Sequence, residues 1–568
     1  PFAGNEVPQS RMNPVGLNLA SYYPMPNTAG SPVTQTNNYI SNASRGIDQA
    51  AYTTRIDHSL AQFWQMFGRV SVNRSTLAQP DSFGNPATSG DGANGRVLLN
   101  NYSAGLDNTV TLGPATILNV RYGMARFYWA RLTRSFGFDQ RELGFPESHV
   151  RQLVYPLFPI ASVEGFAQLG GSNVLRTGQD THSILGSATH LRGKHNMKAG
   201  GDLRIRQLNF TSGQGAGSYT FNRVMTRGPD PNVVTATGGV GFAGLLLGTP
   251  SGGSFGIVSG NSLQNFYYAG YLQDDIRLSS RLTLNLGVRY ETESPLSERY
   301  NQINWFDFHL PSPVRNAAFP NLTGGLVFAS AEDRTIYAWD RNNVAPRAGF
   351  AYTLTKTTIL RGGAGVFYAP PGVSDRDFFA PTSGFSSSTP MLATLDGITP
   401  YRYVSNPFPD GFVPPTGASL GPSTFLGQGI QVWDRAVRTP YALQWNLDVQ
   451  QALRQDLLLD VAYSASRGVK LNAERQFNAL PPEHLALGTG LQTLVDNPFY
   501  PNIPTGTLAQ PRVQRSQLLL PFPQFTGVTH ENSSWGNSIY HSVAFKFEKR
   551  ATKGVGFLLL LCHKQTKS

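Results

Sequence analysis

The chain has 568 residues and a formal net charge of +11, yet only 14% of it is charged, well under the usual quarter, while 59 Gly, 39 Pro and 11% aromatics are plentiful. That balance argues against an ordinary soluble α/β architecture, and 40% hydrophobic residues spread throughout argue against disorder. One cysteine, Cys562, rules out a disulfide framework or a cysteine-based zinc site, and basic residues scattered without a run give no reason to expect nucleic acid as a partner.

Taken in chain order, alternation with a period of two predicts about seven hairpins. The first lies near 52–74. The second, near 101–130, contains ATILNVRYGMA, which sets Leu118, Val120, Tyr122 and Met124 against Asn119, Arg121 and Gly123. The third, near 181–210, contains HNMKAGGDLRIR, with Met197, Ala199, Leu203 and Ile205 against Lys198, Asp202, Arg204 and Arg206. The fourth, near 264–293, joins FYYAGYLQDDIRL through Ser279-Ser280-Arg281 to LTLNLGVRYE. There Leu282, Leu284, Leu286, Val288 and Tyr290 oppose Thr283, Asn285, Gly287, Arg289 and Glu291. The fifth lies near 346–369. The sixth, near 441–472, sets Tyr441, Leu443, Trp445, Leu447 and Val449 against Ala442, Gln444, Asn446, Asp448 and Gln450; beyond a turn, Leu457, Leu459, Val461 and Tyr463 oppose Asp460, Ala462 and Ser464. The seventh, near 539–561, alternates Ile539, Val543, Phe545 and Phe547 with Ser542, Lys546 and Glu548.

The connections inside hairpins are tight: Leu112-Gly113-Pro114, Arg192-Gly193-Lys194, Thr355-Lys356-Thr357 and Thr552-Lys553-Gly554. Those between hairpins are long, on the order of 25 to 70 residues, where compact soluble domains rarely exceed about 15. Long connections always on one side, with an apolar face and a polar face, are the pattern of an outer-membrane barrel with short periplasmic turns and long extracellular loops. Hydrocarbon offers no hydrogen bonds, so such a sheet must satisfy its own backbone. Aromatics at Tyr441, Trp445, Tyr463, Tyr290 and Tyr368 are expected near strand ends as girdle residues. A β-sandwich or propeller also alternates, but the spacing is uneven and no blade motif recurs. No apolar run approaches the roughly 18 residues of a membrane helix, and a chain starting at Pro1 is silent on export signals.

YLQDDIRLSSRLTLNLGVRYE resembles the strand-turn-strand of TonB-dependent outer-membrane transporters, in particular the Oar-like subgroup. PFAGNEVPQSRMNPVG, TTRIDHSL, KHNMKAGGDLR, GFAGLLLGTPS, NNVAPRAGFAYTL and SIYHSVAFKFEKRATKGVGF fit the same resemblance in the same order. It implies a barrel of about 22 strands with an amino-terminal plug that contacts TonB. The reading is an all-β, antiparallel transmembrane β-barrel, one partial domain over 1–568, with roughly 14 of those strands and no plug domain. FLLLLCHKQTKS departs from the aromatic-ended closing strand that the resemblance implies, so a fragment is expected.

The expected place is the Gram-negative outer membrane, in contact with its lipid. The expected work is energy-coupled movement of a large solute such as a siderophore, cobalamin or an oligosaccharide, through TonB-ExbB-ExbD acting on the plug. The alternative is a passive porin-like channel or a surface adhesin. No catalytic constellation or phosphate loop stands out, so neither an enzyme nor a cofactor is expected. His190 and His195 flank a turn without a third metal ligand, and Asp274-Asp275 reads as structural. Arg121, Arg204, Arg289, Glu291, Asn446, Asp448 and Asp460 are expected on a hydrated lumen wall, where they hold a plug and guide a ligand or simply bond one another and water. Trp305, Phe306, Tyr401, Tyr403 and Trp433 are loop aromatics placed to stack on a ligand, or on their own loops.

Overall fold

The computed structural model describes residues 2, 4, 6–88, 95–171, 174–213, 215–228, 230, 232–233, 238–369, 382–552 and 555–567, with backbone alone at 551, 552 and 567. Long strands form where the alternation predicts them. They are β1 (Gly46–Ala61), β2 (Trp64–Ala78), β3 (Arg96–Gly113), β4 (Thr116–Leu132), β5 (Val174–Arg192), β6 (His195–Gly213) and β7 (Asn261–Arg277). There follow β8 (Leu282–Glu293), β9 (Val344–Thr353), β10 (Thr358–Tyr368), β11 (Tyr441–Arg454), β12 (Leu457–Gln476), β13 (Gly527–Thr552) and β14 (Val555–Lys567). Each pairs antiparallel with its neighbours in chain order, in one 16-stranded sheet that also takes in two short strands. Among the described residues β1 and β14 are the outermost of the long strands, each with one partner.

All tight turns lie at one end. The connections 79–95, 133–173, 214–260, 294–343, 369–440 and 477–526 lie at the other, the first of them shorter than expected. Residues 553 and 554 of the last tight turn lie outside the described residues.

The alternation becomes two unlike faces. Val120, Ile184, Leu272, Leu286 and Leu447 lie on one, each between 45% and 56% exposed. Rows of apolar side chains this open are rare on water-soluble monomers, and they suit hydrocarbon. The opposite, inner face carries the polar residues. Two expected girdle aromatics stand elsewhere. Tyr463 pairs in register with Leu447, and Trp445 lies opposite Ala465, so both are within the apolar band and not at its rim. Tyr463 is tolerated there because its hydroxyl bonds His541 Nδ1 at 2.8 Å. At the loop end, Tyr368 and Tyr441 do meet, with ring centroids 5.5 Å apart.

The apolar cores are built mainly from the long connections and the segment before β1. Short strands Ile160–Val163, Ser218–Phe221, Gly252–Ile257 and Ser387–Pro390, from three different connections, make a separate four-stranded sheet. Helix α1 (Pro14–Ala20) and helix α2 (Gly241–Leu247) pack on it around Leu19, Phe158, Tyr219, Phe221, Leu245 and Phe255. Asn13 caps α1 through its side-chain oxygen, which accepts from the N–H of Val15 and Gly16 at 3.0 and 3.3 Å. A second core, with Ile303, Ile336, Tyr337 and Trp433, seats on Leu208, Phe210 and Leu263 of the sheet's loop end. A third gathers Phe306, Leu326, Ile430, Phe499 and Phe525. The loops are thus a folded cap. No helix among the described residues is long and apolar enough to cross a membrane.

Candidate functional site

Register alone places the first cluster on the inner face. Asp202 of β6, Ala269 of β7 and Glu291 of β8 stand in one row, and Tyr267 and Arg289 in the rows beside it. Arg204 donates to Asp202 at 2.6 and 3.0 Å. Arg289 donates to Glu291 at 2.8 Å and to the Tyr267 hydroxyl at 2.8 Å, and Tyr267 donates to Glu291 at 2.6 Å. One row nearer the cap, Arg206 reaches Glu293 at 2.7 Å, and Asn265 donates to the same carboxylate. Asp202, Glu291 and Glu293 are buried, so their charge is affordable only because each is met by a guanidinium.

Across the wall the inner face opens into a recess of about 620 Å³. Its floor is glycine: Gly349 faces Gly363 between β9 and β10, and a Cβ on Gly363 would come within 3.3 Å of Asn446 Oδ1. Its polar lining includes Gln273, Asn285, Arg347, Gln444, Asn446 and Ser464. Such a surface offers amide and hydroxyl donors and acceptors, with one guanidinium, to a hydrated ligand or to another protein segment.

The structure therefore joins Arg204, Arg289 and Glu291 in one network and leaves the other expected wall residues outside it, with Asp448 and Asp460 beside each other. Arg121 pairs with Asp107 at 2.6 Å on β3 and β4. Asp448 stands opposite Arg361, and Asp460 accepts from Gln450 at 3.3 Å. Asn446 alone of these lines the recess. Asp274 and Asp275 point to opposite faces: Asp274 bonds His195 Nδ1 at 2.6 Å, and Asp275 accepts from Asn285 at 2.7 Å. Adjacent carboxylates so divided cannot share a substrate, in keeping with their structural reading. His190 is held by Thr116 at 2.8 Å.

Of the loop aromatics, Trp305, Phe306 and Trp433 are buried in the cap. Arg435 covers Trp305, 4.0 Å from the ring centroid, and Trp433 stacks on Tyr337. Tyr401 and Tyr403 remain exposed beside a turn locked by Asp396. That carboxylate accepts the N–H groups of Thr399 and Ile398 at 2.6 and 2.8 Å, which holds it well below the usual carboxylate range. Sequence reasoning missed Tyr267, Asn265 and Glu293. Their signal was the parity of 265, 267 and 293 with Gln273 and Glu291, masked because Tyr267 reads as a lipid-side aromatic.

No curated protein matches the chain. Among solved structures, the outer membrane transporter YddB from Escherichia coli superposes with a TM-score of 0.51 at 10% identity, covering 93% of this chain and 50% of that one. The alcaligin outer membrane receptor FauA from Bordetella pertussis gives 0.42 at 9% identity, covering 92% and 53%. The siderophore receptor PirA from Acinetobacter baumannii gives 0.41 at 8%, covering 90% and 51%. The chain thus spans about half the length of each. The family model described as outer membrane beta barrel domain matches residues 1–560. With an apolar outward face, a polar inner face and a cap over one end, this chain belongs to the outer-membrane β-barrel family, and its place is the outer membrane.

Proposed function

We propose that the chain forms wall and cap of an outer-membrane transporter that moves a large solute under energy coupling from TonB-ExbB-ExbD. The observation that carries the reading is the contrast between a folded, aromatic-rich cap and the polar inner wall beneath it, with its ion network and glycine-floored recess. A passive pore has no need of a cap with three apolar cores, whereas a protein that captures a solute before admitting it does. The fold likeness to an outer membrane transporter and the resemblance to TonB-dependent, Oar-like sequences point the same way. In this reading Tyr401 and Tyr403 meet the solute first, and Asn446 and the Arg204–Arg289–Glu291 network line its route or hold a plug.

The test is uptake by a host lacking its own receptors, supplied in turn with a ferric siderophore, cobalamin or a maltooligosaccharide as limiting nutrient. Growth on one of them that depends on the chain and vanishes without ExbB-ExbD supports the reading. Growth that persists without ExbB-ExbD favours the passive channel, and surface attachment without uptake of any of the three favours the adhesin.

A further inference from the structure

The outward face changes abruptly along β6 and β7. Leu203 faces Tyr268 and Ile205 faces Phe266, two apolar rungs in register. The next two rungs toward the cap are Gln207 with Gln264 and Asn209 with Ser262. These side chains bond across the strands: Gln207 Nε2 donates to Gln264 Oε1 at 2.9 Å, and Ser262 Oγ donates to Asn209 Oδ1 at 3.0 Å. On the neighbouring strand Asp180 stands opposite Gln207 and holds Arg126 at 2.6 Å. A polar belt directly above an apolar one is the level at which hydrocarbon gives way to headgroups.

Two recesses open in this belt, of about 380 and 340 Å³, with Asn209 and Ser262 in the walls of both. Tyr300 closes the first, and Arg299 and Arg334 flank the second. The buried Glu298 fixes their rim. One of its oxygens accepts from Ser262 N at 3.0 Å; the other accepts from Tyr300 N and Gln302 N at 2.7 and 2.8 Å. Backbone bonds from Arg299 N to Ser262 O at 2.9 Å and from Glu298 N to Arg334 O at 3.0 Å tie both arginine-bearing segments to the strand. The nearby carboxylates are engaged, since Asp333 pairs with Arg435 at 3.0 Å and Glu332 accepts from Ser330 at 2.7 Å. Among the described residues Arg299 and Arg334 form no ion pair, and Arg299 lies 5.6 Å from the Tyr300 ring centroid.

We propose that these recesses seat the phosphate-bearing headgroup of a lipid with net negative charge in the surrounding leaflet, with its acyl chains descending over Phe266, Tyr268 and Leu203. Two guanidiniums suit a phosphate. The amide and hydroxyl rungs suit the hydroxyls of a glycerol or sugar. The site opens sideways at the height where such groups lie, and the apolar rungs below match the rest of the molecule. A free anion would use the arginines and leave those rungs without a role. The inference rests on the outer-membrane location and is independent of transport.

The test is native mass spectrometry of the purified full chain in neutral detergent, with phosphatidylglycerol or phosphatidylcholine added. Retention of phosphatidylglycerol at least fivefold above phosphatidylcholine is expected. Arg299→Ala with Arg334→Ala should remove roughly nine-tenths of that retention, and the matching Lys pair should keep part of it. Millimolar inorganic phosphate should not displace the lipid. Equal retention of both lipids, unchanged retention in the alanine pair, or full displacement by phosphate each overturns the proposal. Heat-modifiable gel mobility verifies folding; should the alanine pair fail there, the single Arg334→Glu carries the same expectation.

Discussion

Arg289 of β8 reaches over β7 to lie 3.7 Å from Asp202 of β6, and the residue beneath the bridge is Ala269. A methyl group is all that separates the two charges from the intervening backbone. The inner network is therefore a three-strand device whose span depends on a small side chain at its centre.

Ala269→Leu should break that bridge by bulk while leaving every charge in place. Arg289→Met should cost more, about 2 kcal/mol, because buried Asp202 and Glu291 each lose a cationic neighbour although Arg204 and Tyr267 remain. Arg121→Met should cost under about 1 kcal/mol, because that guanidinium is half exposed and Asn119 still serves Asp107. Urea unfolding in lipid vesicles, followed by tryptophan fluorescence, ranks the three. A larger loss at Arg121 than at Arg289 contradicts the assignment of the inner network.

Leu447 and Asn446 lie side by side on opposite faces of β11. Leu447→Arg should cost roughly 2–4 kcal/mol in the bilayer, and Asn446→Arg much less because it opens into the recess. The same vesicle titration reads both, and equal costs would falsify the facing.

Gly16 of α1 meets α2 so closely that an added Cβ would stand 2.0 Å from the carbonyl oxygen of Leu245. A Gly→Ala change inside a helix normally stabilises by up to about 1 kcal/mol. Here the sign reverses: Gly16→Ala should destabilise the docking of α1 by roughly 1–3 kcal/mol. Faster limited proteolysis of the segment before β1 is the expected readout, and unchanged cleavage counts against the contact.

His149 is buried in the cap between the rings of Phe145 and Phe408, at 4.9 and 6.2 Å. Gln140 spends its amide N–H groups on the carbonyls of Leu157 and Ala216, so its oxygen accepts from His149 Nε2–H at 3.1 Å. Burial pushes the imidazole down to about 4 from 6.5. The unfolded cap binds a proton first as pH falls, so stability is full above about 6.5 and drains away toward 4, by about 3 kcal/mol at most. Hydrogen exchange of residues 140–160 at pH 5 against pH 7.5 should show loosening at the lower pH. His149→Phe should flatten the difference, and a difference that survives in this variant assigns it elsewhere.

The wall was legible in the sequence because lipid enforces a period of two. LTLNLGVRYE became β8 with Leu286 and Val288 outward, and each of the seven hairpins formed near its expected place. Depth was less legible: the chemistry of tyrosine fits a membrane rim, but the register with Leu447 sets the level of Tyr463, and register is not a local property. The cap was not legible at all. Ser387 pairs with Ile257 and Phe306 packs on Phe525, contacts between segments far apart in the chain, so nothing local distinguishes a buried Trp433 from an exposed Tyr401. The alternation placed Arg204, Arg289 and Glu291 on one surface, yet their meeting over Ala269 depends on three strands at once.

The small sheet of the cap draws Ile160–Val163, Ser218–Phe221, Gly252–Ile257 and Ser387–Pro390 from three separate connections. None of the three connections can complete that sheet by itself, because Ser387–Pro390 pairs with Gly252–Ile257 and Ser218–Phe221 pairs with Ile160–Val163. The roof is therefore a joint product of the hairpins before Ser387, and loss of any one of these connections leaves the partners of its strand with an open edge.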